Sequence, residues 1–151
     1  MDKTVRLAVV IISLLIGAGL VSCTGKDAGG AEPVTAYDAG VCEKLSDKYM
    51  ADAASLTPDD YDTMIEQYEA ILDYYADLNR RFAAIEDSDE RRSEIDKISR
   101  TPENVDRVTY MTLFAIALDY ADTTGRLPEK VAGRYRKLQE RPAEAQDIEL
   151  D

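Results

Sequence analysis

Apolar residues recur in heptads through the middle of the chain. Tyr61, Tyr68, Tyr75 and Phe82 stand at every seventh position, and Met64, Ile71, Leu78 and Ile85 follow each of them three residues later. Ile65 and Leu72 widen the stripe. Thr57-Pro58-Asp59-Asp60 precedes it and supplies a hydroxyl cap, a proline at the first helical position and acids in the first turn. The pattern predicts one long helix that ends at Ile85, before the run Glu86-Asp87-Ser88-Asp89-Glu90. A seven-residue repeat sustained this far implies partners that cross at a shallow angle.

Three more segments carry the helical period. A first helix is expected from about Asp38 to Ala54, capped by Asp38, with Val41, Leu45 and Tyr49 four residues apart and Cys42 and Ala53 beside them. Thr101-Pro102-Glu103-Asn104 repeats the cap-proline-acid start. The helix it opens is apolar nearly all round, through Val105, Val108, Met111, Leu113, Phe114, Ile116 and Leu118, which predicts a central, enclosed element. Thr123-Thr124-Gly125 stops it. A last helix starts at Pro128, shows Leu127, Val131, Tyr135 and Leu138 on one face, and ends at Arg141-Pro142. The charged stretch Glu90 to Ser99 holds only Ile95 and Ile98 as apolar residues, so it reads equally as an extension of the long helix or as a separate turn.

These elements predict an all-α fold, a small bundle of about four helices over residues 36–140. A coiled-coil dimer is the other use of such a seam. Tight two-stranded coils prefer aliphatic residues at both seam positions, and tyrosine is bulky there. Ala115, Ala117 and Ala121 supply small residues to face it within one chain, which favours a monomeric bundle. The repeated Thr-Pro-acid start, with Asp-Tyr-Tyr-Ala-Asp at 73–77 echoed by Asp-Tyr-Ala-Asp at 119–122, is compatible with an old hairpin duplication or with converged capping chemistry. Tetratricopeptide spacing is absent.

Charge narrows the chemistry. The chain carries 30 acidic against 18 basic residues, a balance that repels nucleic acid and anionic lipid headgroups and favours a basic partner. It has no histidine, which removes Ser-His-Asp triads, HExxH zinc sites and Glu-x-x-His di-metal sites. No calcium-loop string occurs either. No catalytic constellation stands out, so the expectation is a non-enzyme with no catalytic residues, no metal and no cofactor. Asp59, Asp62, Glu66, Glu69, Asp73 and Asp77 follow one another at steps of three and four along the long helix. Like charges at that spacing repel. The ridge is therefore the candidate interaction surface for a basic protein, unless Lys130, Arg134, Lys137 and Arg141 of the last helix neutralise it. Cys42 reads as a buried small apolar residue or as one half of an intermolecular disulfide. Tyr74 and Tyr110 fall off the main stripes and would form a recognition feature if exposed together.

The first residues say where the chain belongs. Lys3 and Arg6 precede an apolar run from Leu7 to Leu20, too short to span a bilayer and followed by Val21-Ser22-Cys23. Leu20-Val21-Ser22-Cys23 resembles the lipobox of bacterial lipoproteins. The resemblance covers residues 1–23 only and implies cleavage between Ser22 and Cys23, with Cys23 carrying the lipid, palmitate included. Two or three acyl chains anchor stably where one does not. It implies a lipid-anchored place on a bacterial cell membrane. Thr24, where an aspartate often signals inner-membrane retention in such families, tilts the choice to the outer membrane and leaves the face open. Residues 23–35, with Gly25, Gly29, Gly30 and Pro33, read as a flexible tether, and residues 141–151 as a disordered acidic tail. The expected function is that of an envelope lipoprotein acting as a protein-binding or accessory module. A structural spacer that self-assembles through the heptad seam is the alternative.

Overall fold

The computed structural model describes residues 36–140. The signal segment, the tether and the tail lie outside the described residues, and with them the cleavage site and Cys23.

Among the described residues the chain is all-helical, with five α-helices: α1 (Ala39–Ala51), α2 (Pro58–Ala83), α3 (Ser88–Ser99), α4 (Pro102–Thr123) and α5 (Glu129–Glu140). A 3-10 turn, Ala53–Ser55, joins the first two. The count exceeds the expected four because residues 88–99 form a helix of their own. Asp87 decides this: its carboxylate accepts the Glu90 amide at 2.7 Å, so a new helix starts where the long one could have continued.

The other starts follow their capping residues. Asp38 accepts from the Val41 amide at 3.0 Å. Thr57 and Asp60 close a reciprocal capping box: the Asp60 amide donates to the Thr57 hydroxyl at 3.2 Å, and the Thr57 amide donates to the Asp60 carboxylate at 2.7 Å. Thr101 caps α4 through the Asn104 amide. α4 stops at Gly125, whose φ of 69° is the left-handed conformation that glycine adopts without strain. The amides of Arg126 and Leu127 then turn back onto the Ala121 carbonyl.

The heptad residues Tyr61, Met64, Tyr68, Ile71, Tyr75, Leu78 and Phe82 are all buried, together with Ile65, in one core cluster with Cys42, Leu45, Met111, Phe114, Leu118, Val131 and Tyr135. The seam is thus used inside one chain. Ala115, Ala117 and Ala121 are buried in the same cluster, the small residues a tyrosine-rich core needs. Ile85 and Leu72 pack at its edge.

One expectation needs correction. The helix apolar all round is not enclosed all round. α2 packs on each of the other four helices and is the hub; α4 packs on α1, α2 and α3. Tyr75 meets Asn104 at the start of α4, and Tyr61 lies by Arg126 just beyond its end, so α2 and α4 run antiparallel. With only three main neighbours, α4 leaves one side open. Val105, Ile116 and Tyr120 are 52%, 39% and 55% exposed.

Candidate functional site

The acidic ridge runs along α2, as the helical spacing requires, but it is divided by what faces it. Arg134 of α5 donates to Glu69 at 2.9 Å and lies 3.9 Å from Asp62, while Lys130 lies 3.7 Å from the same Asp62 oxygen. The last two distances are ion pairs without hydrogen bonds, and that Asp62 oxygen is buried and accepts none. Asp77 pairs along its own helix with Arg80 at 3.3 Å. Asp59 sits exposed in the first turn of α2, where the helix dipole favours it; Glu66 is half-buried and Asp73 exposed. The middle of the ridge is therefore partly the seat of α5. Of its six acids, Asp62 and Glu69 face basic side chains of α5. Each such half-exposed pair contributes at most about 1 kcal/mol.

The tyrosines off the main stripe do not form an exposed pair. Tyr74 lies edge-on to Tyr75 at 5.3 Å, and Tyr110 stacks on Phe114 at 6.2 Å. Both are half-buried and pack against the core. The Arg107 guanidinium lies over Tyr74 at 4.2 Å and over Tyr37 at 4.8 Å, a cation–π pair that ties the start of the domain to α2 and α4. Gln67, buried, completes that tie. Its oxygen accepts the Asp38 amide at 2.8 Å and lies 3.6 Å from the Cys42 sulfur, and its nitrogen donates to the Ala36 carbonyl. The Tyr75 hydroxyl donates to the Asn104 side chain at 2.8 Å, both groups buried. Burial raises the Tyr75 and Tyr135 hydroxyls and pushes Tyr68 up to about 12, so these phenols stay neutral at physiological pH.

Cys42 is fully buried, and burial pushes its thiol up to about 12. Of the two readings, the buried apolar residue is the one this geometry fits.

An open hollow of about 190 Å³ is lined by Ala53, Ala54, Leu56, Pro58, Tyr61 and Arg126. Its single charged group and apolar walls bring no pair of acid and base together. Among the described residues no group of three or more Cys, Asp and Glu could hold a metal ion. No helix of the described residues is long and apolar enough to cross a membrane.

The surface feature that sequence reading missed is the open side of α4. Val105, Thr109, Thr112, Leu113, Ile116 and Tyr120 recur at helical spacing and make one strip. The Thr109 and Thr112 hydroxyls each donate at 2.8 Å to the carbonyl four residues back, which satisfies them locally. The strip therefore behaves as apolar along its length. It holds no charged side chain, in a chain that is 32% charged. One sequence signal pointed to it: Thr109 and Thr112 fall among the apolar residues of α4 at positions that a core helix would fill with aliphatic side chains.

No family model, no curated protein and no solved structure matches this chain.

Proposed function

We propose that the protein is a lipid-anchored bacterial envelope lipoprotein whose helical domain works by binding another protein and not by catalysis. The anchor rests on the lipobox-like Leu20 to Cys23. The observation that carries the binding role is the charge-free strip on α4, where Val105, Ile116 and Tyr120 stay exposed although the rest of the surface is densely charged. Apolar side chains grouped on one helix face of an otherwise charged surface offer a partner its dehydrated contact. The spacer alternative used the heptad seam, and that seam is occupied by the chain's own core.

Cells expressing the full chain test both halves. Cys23→Ala should abolish labelling by a clickable fatty acid and detergent partitioning; persistence of both overturns the anchor. A photocrosslinking residue placed in turn at Ile116, Glu66 and Asp73 should give a protein adduct from Ile116. Absence of an adduct from all three positions overturns the binding role.

A further inference from the structure

The strip has two margins, and both are acidic. On the α1 side, Asp106 stands exposed next to Val105 on the helix, and Glu43 and Asp47 stand exposed one turn apart on α1, which packs on α4; all three raise the Tyr110 hydroxyl pKa, after the larger effect of burial. On the α5 side, Asp119 stands half-buried one residue before Tyr120, and Asp122 lies one turn on; both raise the Tyr135 hydroxyl pKa, behind burial and Tyr68. Asp122 is held by Arg136 at 3.1 Å, which leaves Asp119 as the acid next to the strip on that flank. An apolar lane between two acidic margins is the complement of an amphipathic helix whose apolar ridge is bordered by Lys or Arg.

Size and charge separate the possible occupants. From Val105 to Tyr120 the strip runs about 22 Å, and at a helix width of about 10 Å it presents roughly 200 Å². A stable dimer needs about 800 Å² per partner. A second copy would also bring the same acidic margins against these. The chain's own final segment is disfavoured by the same sign of charge, since Glu144, Asp147, Glu149 and Asp151 surround its Ile148 and Leu150. A single cationic helix of another protein fits both the narrow lane and its borders.

We propose that the α4 strip seats a cationic amphipathic helix of a partner protein, with the apolar ridge of that helix on Leu113, Ile116 and Tyr120 and its basic flanks on Glu43, Asp47, Asp106 and Asp119. The proposal rests on the binding role above and specifies its site and its partner. Electrostatics steers the approach and sets specificity; the apolar lane sets how long the complex lasts.

The full chain, displayed in nanodiscs of zwitterionic lipid, tests this with two fluorescent helical peptides of about 18 residues, enough to cover the strip. Both carry one leucine ridge; it is bordered by lysine in the first and by glutamate in the second. Empty nanodiscs give the blank. The lysine peptide should bind above the blank, weaken with added salt, and lose about tenfold or more in affinity on Ile116→Glu. Asp106→Asn with Asp119→Asn should weaken it and flatten the salt dependence, while Asp59→Asn, on the distant ridge, should leave it unchanged. Thermal melts show that each variant is folded. Equal binding of the two peptides overturns the charged borders. Failure of the lysine peptide to bind above the blank, or binding unaffected by Ile116→Glu, overturns the site. If a photoadduct still forms at Ile116 while the peptide fails, the partner chemistry is wrong and the binding role stands. If no surface position gives an adduct, the binding role itself has failed.

Discussion

Two neighbouring residues of α4 give the sharpest check on how this helix is placed. Phe114 has no exposed surface and stacks with Tyr110 at 6.2 Å, whereas Ile116, two positions on, is 39% exposed. Phe114→Ala removes a ring from a packed core and leaves a cavity, which costs about 3–5 kcal/mol. A small domain has about 5–15 kcal/mol in all. At about 4–8 °C of melting temperature per kcal/mol, the midpoint should fall by roughly 12–40 °C. Ile116→Ala, at a side chain only partly covered, should cost far less, about 1 kcal/mol or under. Urea titrations and thermal melts followed by far-ultraviolet circular dichroism, on the chain from residue 24 onward, measure both. Equal losses in the two variants, or a loss below about 1 kcal/mol for Phe114→Ala, would mean that α4 presents a different face to the core, and the strip would go with it.

Two further outcomes follow from buried and paired groups. Cys42, enclosed and with its thiol raised to about 12, should resist maleimide at neutral pH in the folded protein and react once urea unfolds the chain; labelling at the unfolded rate in native buffer would show the site to be open. Asp60 is pushed up by burial but pulled down further by hydrogen bonds from Lys48 and Thr57, so its folded pKa lies below the ordinary 3.8. The stability this contributes is present above the unfolded pKa and is lost as pH falls through the folded one. Lys48→Met should therefore lower the urea midpoint at neutral pH and make little difference well below pH 3.8; a gap that stays constant into acid would contradict the pairing.

Where the sequence was legible, local chemistry and the hydrophobic period pointed the same way. The proline-and-threonine starts at Thr57 and Thr101 are unambiguous because they fix the backbone and satisfy orphan amides at once. The heptad stripe predicted the buried face of α2 because 26 residues carry enough repeats to define a period. Residues 88–99 were ambiguous because two isoleucines among charges set no face, and only the Asp87 cap separates a new helix from a longer old one. The open side of α4 was hidden for a different reason. A stripe of apolar and threonine positions looks the same whether a neighbour covers it or not, and which sides of a helix are covered depends on how many helices reach it. The ridge left two readings for a similar reason: spacing shows that its acids crowd one face of α2, and the packing adds that Arg134 of α5 bridges two of them.

The tie at the start of the domain gives the proposed anchor a mechanical sense. Ala36 and Asp38 are held by both ends of the buried Gln67 amide, and Tyr37 lies against Arg107, which is also over Tyr74. A pull on the chain at residue 36 is thus passed to α2 and α4 directly, without first unwinding α1. Two part-buried hydrogen bonds to the Gln67 amide and two cation–π contacts resist such a pull better than a segment lying free on the surface. The start of α4 lies at this same end, since Arg107 stands near its beginning, so the strip runs from the entry point toward the far end of the bundle.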